Sequence, residues 1–215
     1  MLPAEQQSLR GSYFYTRDGK AMDIDEDFLV ERLAGQGKNA YRVTGRRLVR
    51  SNGATLATDA LMLNGELVQA RFEWCDEIGS LSHRYQRQAT WQFDESTTEL
   101  PATTLLFGLL RVFTGPLMLG ILQNGGSSSV ISPSLSMEQG RDKLFEPGLS
   151  SRTASSQGFG DWLSADGLIL AHSIRFQGGP YAETSQCWLD EHGLLLGYDW
   201  SQPAVGLWQV RLRPG

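Results

Sequence analysis

Along most of the chain, hydrophobic and polar residues alternate one for one, the pattern of strands with a single buried face. In "LVQARFEW", Val68, Ala70, Phe72 and Trp74 share one side while Gln69, Arg71 and Glu73 share the other. "LILAHSIRF" groups Leu168, Leu170, Ile174 and Phe176 in the same way, and "GLWQVRL" groups Trp208, Val210 and Leu212. Between these runs stand short turn signals: Asp18-Gly19, Asn52-Gly53, Asn64-Gly65, Asp166-Gly167, Gly178-Gly179 and His192-Gly193. The pattern predicts strands over 8–17, 41–50, 54–63, 66–75, 82–94, 167–176, 182–190, 194–200 and 206–213, antiparallel because their connections are short. Residues 22–33 suit a strand or a short helix. From 125 to 166 the chain turns rich in Gly, Ser and Pro, which predicts mobile loops with short strand-like pieces.

One stretch breaks the alternation: "TTLLFGLLRVFTGPLMLGIL", residues 103–122. Its length approaches a membrane span. Each Leu, Ile, Phe or Val contributes only about −0.3 to −0.6 kcal/mol to insertion, against roughly +3 for a central Arg, and Arg111 stands near the midpoint. Gly108, Gly115, Pro116 and Gly120 weaken the case further, so a transmembrane span is not expected. On a helical projection Thr104, Gly108, Arg111 and Gly115 form one narrow polar stripe. Thr114-Gly115-Pro116 is expected to end one helix and open a second, shorter one that stops at Asn124-Gly125-Gly126. Arg111 then either looks into solvent or points into a cavity that the helices roof.

These elements make an all-β, mainly antiparallel fold: a curled sheet, β-roll or half-barrel with a short two-helix insertion around 102–124. Residues 1–215 are expected to form a single β-rich domain. "GELVQARFEW" with "ATWQFDE" echoes "GLILAHSIRF" with "QCWLDE", which raises an internal duplication of about 8–100 and 127–213 in which Trp91 and Trp188 are counterparts.

Composition narrows the partners. The formal net charge of −5 argues against a surface built to neutralise nucleic-acid phosphates. Cys75 and Cys187 are far apart and lack companions at metal-ligand spacing, so no metal and no cofactor are expected. "MLPAEQQSLRGSY" has neither the basic nor the apolar region of a secretory signal, and the expected location is cytoplasmic.

Candidate chemistry lies in polar residues that share a face with apolar ones. Arg87 accompanies Tyr85, Ala89, Trp91 and Phe93; Arg47 accompanies Tyr41, Val43 and Val49; His172 accompanies Leu170 and Ile174. A buried Arg or His requires a paired, hydrogen-bonded partner or a cavity. Either these residues form internal ion pairs, with Glu73, Asp59 or Asp94 as partners, or Arg47, Arg87, Arg111 and His172 converge with Trp91 on one amphiphilic pocket. Arginine's planar fork suits a carboxylate, phosphate or sulfate head group. No Gly-x-Ser-x-Gly elbow, glycine-rich phosphate loop or His-Glu-x-x-His motif occurs, and Asp94-Glu95 and Asp190-Glu191 read as solvated turn residues.

The segments "ELPATTLLFGLLRVF", "SVISPSLS" and "CWLDEHGLLLGY" leading to "GLWQVRL" resemble, in order, the bacterial glycolipid-binding family, whose fold is a spiral β-roll. The family's polar T-N-T-L-P signature is present in part, over Thr98 to Pro101. The resemblance implies a roll that binds a lipid-like molecule, and it carries over no catalytic residue. The expected function is binding of an amphiphilic small molecule without transforming it, with membrane contact as a further expectation. One alternative is an enzyme acting on such a molecule with His172 and Arg87 in its site; another is an interaction module that dimerises through the apolar helical segment.

Overall fold

The structure is a computed structural model that describes residues 2–214 apart from 4, 36–38, 95, 99, 101–102, 139, 165–166, 179–180 and 203–204. The first wing of strands is β1 (Ser8–Arg17), β2 (Lys20–Arg32), β3 (Ala40–Val49), β4 (Ala54–Leu63), β5 (Glu66–Asp76), β6 (Gly79–Arg87), β7 (Trp91–Phe93) and β8 (Ser96–Thr98). An insertion follows: β9 (Leu105–Leu106), a 3-10 turn (Arg111–Phe113) and the helix α1 (Thr114–Gln123). The second wing is β10 (Ser127–Pro133), β11 (Pro147–Ser164), β12 (Gly167–Gly178), β13 (Tyr181–Leu189), β14 (Leu195–Gln202) and β15 (Gly206–Pro214).

The described strands form one curled sheet in which β1 lies mid-sheet, β2 to β8 extend to one edge, and β15 back through β9 extend to the other. The seam between the wings is the antiparallel β1·β15 pair, running from Gly11 opposite Pro214 to Arg17 opposite Trp208. Each wing is a meander, as the turn dipeptides require. At Asp18-Gly19 and Asn64-Gly65 both residues have positive φ (50° and 76°, 52° and 86°), the pair of left-handed positions that a tight hairpin turn of matching twist needs.

Two expectations are corrected. Residues 125–166 are not chiefly loop: β11 alone runs for 18 residues, with Arg152 and Ala154 buried and most of the remainder exposed. Its Ser and Gly residues are tolerated because β12 satisfies the backbone along the strand and water meets the polar side chains. The insertion is also not a pair of helices. Its second half is the expected helix, closing at Asn124 ahead of Gly125 and Gly126, both at positive φ. Its first half is extended: β9 pairs in parallel with β10, and the chain then turns sharply at Leu109, which has φ 65°. The segment 22–33, open between helix and strand, is strand β2.

The insertion packs inside the curl. Leu110, Val112, Phe113, Met118 and Ile121 belong to one core cluster with Val43, Leu56, Phe72, Tyr85 and Ile131 of the sheet. Glycines set the close approaches. A Cβ on Gly45 would lie 2.7 Å from Leu110 Cδ1, and one on Gly115 would lie 2.0 Å from the carbonyl oxygen of Gly193. The cavity beside the helix, lined in part by Leu105, Phe113 and Pro116, is about 20 Å³, room for little more than one water. Among the described residues no helix is long and apolar enough to cross a membrane.

Replacing Gly115 by Ala forces α1 away from the β13–β14 turn, because the opposing atom is backbone and cannot rotate aside. The expected loss is about 1–3 kcal/mol in urea unfolding. An unchanged midpoint and slope would show that this packing is absent.

Candidate functional site

Among the described residues, several polar side chains stand against apolar surroundings, and two of these places cluster more than one charged group. The first is inside the roll. Tyr13, Glu26 and Arg47 are direct neighbours across β1, β2 and β3, and Glu26 shares the inner face of β2 with the buried Phe28 and Val30. Glu26 is 0% exposed. Its Oε2 accepts hydrogen bonds from the Tyr15 hydroxyl at 2.5 Å and from Arg47 Nε at 2.8 Å. Its Oε1 accepts from the backbone N–H of Arg111. Arg47 Nη2 also donates to the carbonyl of Leu109 at 3.0 Å.

One carboxylate and one guanidinium therefore hold both backbone groups on either side of Leu110. Leu109, whose N- and C-terminal neighbours join through a Leu110 N–H to Gly108 carbonyl bond of 2.8 Å, is the centre of a γ-turn with positive φ, a strained geometry for a leucine. The Arg111 side chain turns inward, 7% exposed, with its guanidinium over the rings of Trp200 (4.9 Å), Tyr198 (5.0 Å) and Tyr15 (5.9 Å). Burial, then the nearby Glu26 charge, pushes the Tyr13 phenol well above its ordinary pKa and keeps it neutral; its hydroxyl donates to the Leu195 carbonyl at 3.0 Å.

The candidate residues do not converge. Arg47 and Arg111 meet in this core knot, where Arg111 is buried over aromatic rings and does not face solvent. Arg87 pairs with Glu66 at 2.6 Å, and Trp91 is buried with its indole N–H donating to the Thr104 carbonyl at 3.2 Å. His172, half-buried on β12, has Nε2 2.7 Å from Ser156 Oγ and its ring stacked on Phe159. Two of the three ion-pair partners expected from the sequence are engaged elsewhere, Asp59 with Arg42 and Asp94 with His83. Arg87 and His172 thus lie on different strands, with Glu66 beside the one and Ser156 and Phe159 beside the other. Most of the apolar helical segment is buried in the core, with Leu119 and Leu122 only partly covered. Cys75 and Cys187 are both free thiols. Among the described residues no group of three His, Cys, Asp or Glu is placed to hold a metal ion.

The second place is where the β11–β12 hairpin meets β14 and β15. Phe14, Arg211, Gly197 and Trp188 form one row across β1, β15, β14 and β13. Gly197 leaves a gap in that row and Trp162 fills it, since a Cβ there would lie 2.4 Å from Trp162 Cη2. Trp162 packs on Trp188 with centroids 5.0 Å apart, and the Arg211 guanidinium lies over both rings, at 5.4 and 5.7 Å, while it pairs with Asp199. Arg213 stacks on Phe14 at 4.4 Å. Between hairpin tip and β15 these residues leave a groove of about 500 Å³, lined by Phe14, Trp162, Leu163, Leu196, Leu212 and the two arginines among others. The hairpin face away from Trp162 carries the exposed Phe159, Leu163, Leu168 and Leu170.

Sequence reasoning missed Glu26, although Met22, Ile24, Glu26, Phe28 and Val30 alternate and make Glu26 a misfit of the same kind as Arg47. The signal was hidden because the segment was open between helix and strand. Trp162 fell in the stretch expected to be loop.

No protein-family model and no curated protein matches the chain. Solved structures do. A β-barrel-like protein of the domain of unknown function DUF1849 from Brucella abortus aligns with TM-score 0.56 at 10% identity, over 97% of this chain and 96% of that one. A DUF1089 family protein from Pseudomonas aeruginosa gives 0.43 at 13% identity, over 95% and 94%. The hypothetical lipoprotein YmcC from Escherichia coli gives 0.37 at 11%, over 100% and 90%. The chain has a curled, β-barrel-like fold. The resemblance read from the sequence is supported to that extent, as a curled β fold and not as the glycolipid-binding family in particular.

Glu26→Ala leaves Arg47 facing apolar side chains and frees the Leu109 turn. The expected cost is about 3–5 kcal/mol, the range for breaking a buried ion pair from one side. Equilibrium unfolding measures it, and a loss below about 1 kcal/mol would mean that the knot does not hold the insertion.

Proposed function

We propose that the protein binds an amphiphilic, lipid-like molecule against the outside of its sheet, in the groove between the β11–β12 hairpin and β15. The observation that carries this reading is the groove itself: about 500 Å³, lined by Phe14, Trp162, Leu163, Leu196 and Leu212 together with Arg211 and Arg213. That volume and that mixture of apolar wall and few polar groups suit a small-molecule site. The core knot and the packed insertion speak against a ligand inside the roll. Leu163 belongs both to the groove and to the exposed apolar hairpin face, so the same proposal includes contact of the hairpin tip with a lipid surface from which the ligand is taken. The role is binding, with no reaction.

Titration with monolauroylglycerol below its aggregation concentration, followed by calorimetry, tests the reading. Binding is expected to weaken about tenfold or more in Trp162→Ala, as for a buried aromatic anchor, and also in Gly197→Ala, which evicts the indole without touching the ligand. Absence of binding to the natural protein, or equal affinity in all three, would rule the groove out.

A further inference from the structure

The apolar groove has a polar neighbour on the same face. Ser12 of β1 stands opposite Arg213 of β15 on one side and Asp27 of β2 on the other, and Asp27 stands opposite Arg46 of β3. Arg213, Ser12, Asp27 and Arg46 therefore form one row across four strands, with side chains about 5 Å apart at each step. Arg10 lies two residues from Ser12 on β1, hence on the same face. Arg10, Ser12, Asp27, Leu29, Thr44 and Arg46 line a second depression, of about 560 Å³. The two depressions adjoin, because Ser12 of one and Phe14 of the other are alternate residues of β1, and Arg213 stacks on Phe14 while standing opposite Ser12.

The arginines here differ from others on the sheet. Arg42, Arg50 and Arg211 are held by Asp59, Asp25 and Asp199. Among the described residues Arg10, Arg46 and Arg213 form no ion pair, and neither does the one carboxylate between them, Asp27. Three exposed cations around one anion, on a chain of net charge −5, make a local positive field. Stacking on Phe14 leaves the N–H edge of Arg213 available, and Ser12 and Thr44 add hydroxyl donors between the guanidinium groups.

We propose that this second depression is an oxyanion site, which takes the acidic head group of the amphiphile whose apolar part occupies the groove beside it. The inference rests on the proposed function for the source of the anion and on the arginine row for its chemistry. A phosphate monoester is the probe that matches it best: its unesterified oxygens carry the charge that Arg10 and Arg46 in the depression, with Arg213 beside it, would meet, where a neutral head group offers them none.

Calorimetry at low salt with dodecyl phosphate, monolauroylglycerol and inorganic phosphate separates the parts. Dodecyl phosphate is expected to bind the natural protein about tenfold or more tightly than monolauroylglycerol, with an advantage that shrinks as salt is raised. The Arg10→Ala/Arg46→Ala variant is expected to lose that advantage and to keep its affinity for monolauroylglycerol. Both side chains are exposed, so the variant retains the fold, which circular dichroism verifies. Equal affinity for the two amphiphiles in the natural protein, or an advantage that persists in the variant, overturns the proposal. Inorganic phosphate that binds as tightly as dodecyl phosphate also overturns it, by showing a site for the free ion. If neither amphiphile binds, the groove reading fails, and with it the head-group assignment; phosphate binding lost in the double variant would then leave a bare anion site in its place.

Discussion

A carboxylate buried with no exposure must be matched donor by donor, and in this fold Glu26 is matched by groups from three directions. Tyr15 comes from β1, Arg47 from β3, and the Arg111 N–H from the insertion. Removing any one leaves a charge or a donor stranded in apolar surroundings, so the arrangement permits one position of the insertion relative to the sheet. That constraint is what lets a leucine adopt a left-handed turn at 109, and the turn in turn aims Arg111 at the rings of Tyr198 and Trp200 on the far wing. The knot thus joins the two wings through the insertion, independently of the β1·β15 seam.

With the insertion packed on the concave side, the proposed binding surface lies on the outside. The long β11–β12 hairpin supplies it: the glycine at 197 admits Trp162, Arg211 lies over the packed rings of Trp162 and Trp188, and the tip stands off β15 to leave a groove. A sheet alone offers a flat outer face, and a folded-over hairpin converts part of it into a concave one. The arginine row on β15, β1 and β3 extends the same face with the opposite polarity, so apolar and cationic surfaces meet along β1 between Ser12 and Phe14.

Much of the sheet was legible because strand alternation and turn dipeptides are local properties: Asn64-Gly65 needs only its own two residues to reverse the chain. β11 was not, since a run of Ser and Gly becomes a strand only when β12 is present to pair with it. The first half of the insertion read as helix from its 3.6-residue stripe, yet Leu109 is bent by Arg47 and Glu26, contacts separated from it by 62 residues in one case and unseen by any window of sequence. For the candidate residues, the faces of Arg47 and Arg87 were readable, but their partners Glu26 and Glu66 were not, because partner choice follows from register and from the way the sheet curls. Trp162 could not be singled out while its strand was unrecognised.

The central claim is that the roll is closed inside and binds on its outer face. A crystal structure of the protein grown with dodecyl phosphate tests it most directly. The expected result is an alkyl chain along Trp162 and Leu212 with its phosphate towards Arg213 and Arg46, and the Glu26–Arg47–Arg111 knot unchanged. An alkyl chain within the curl, with α1 displaced and Arg111 drawn to the phosphate, would contradict it.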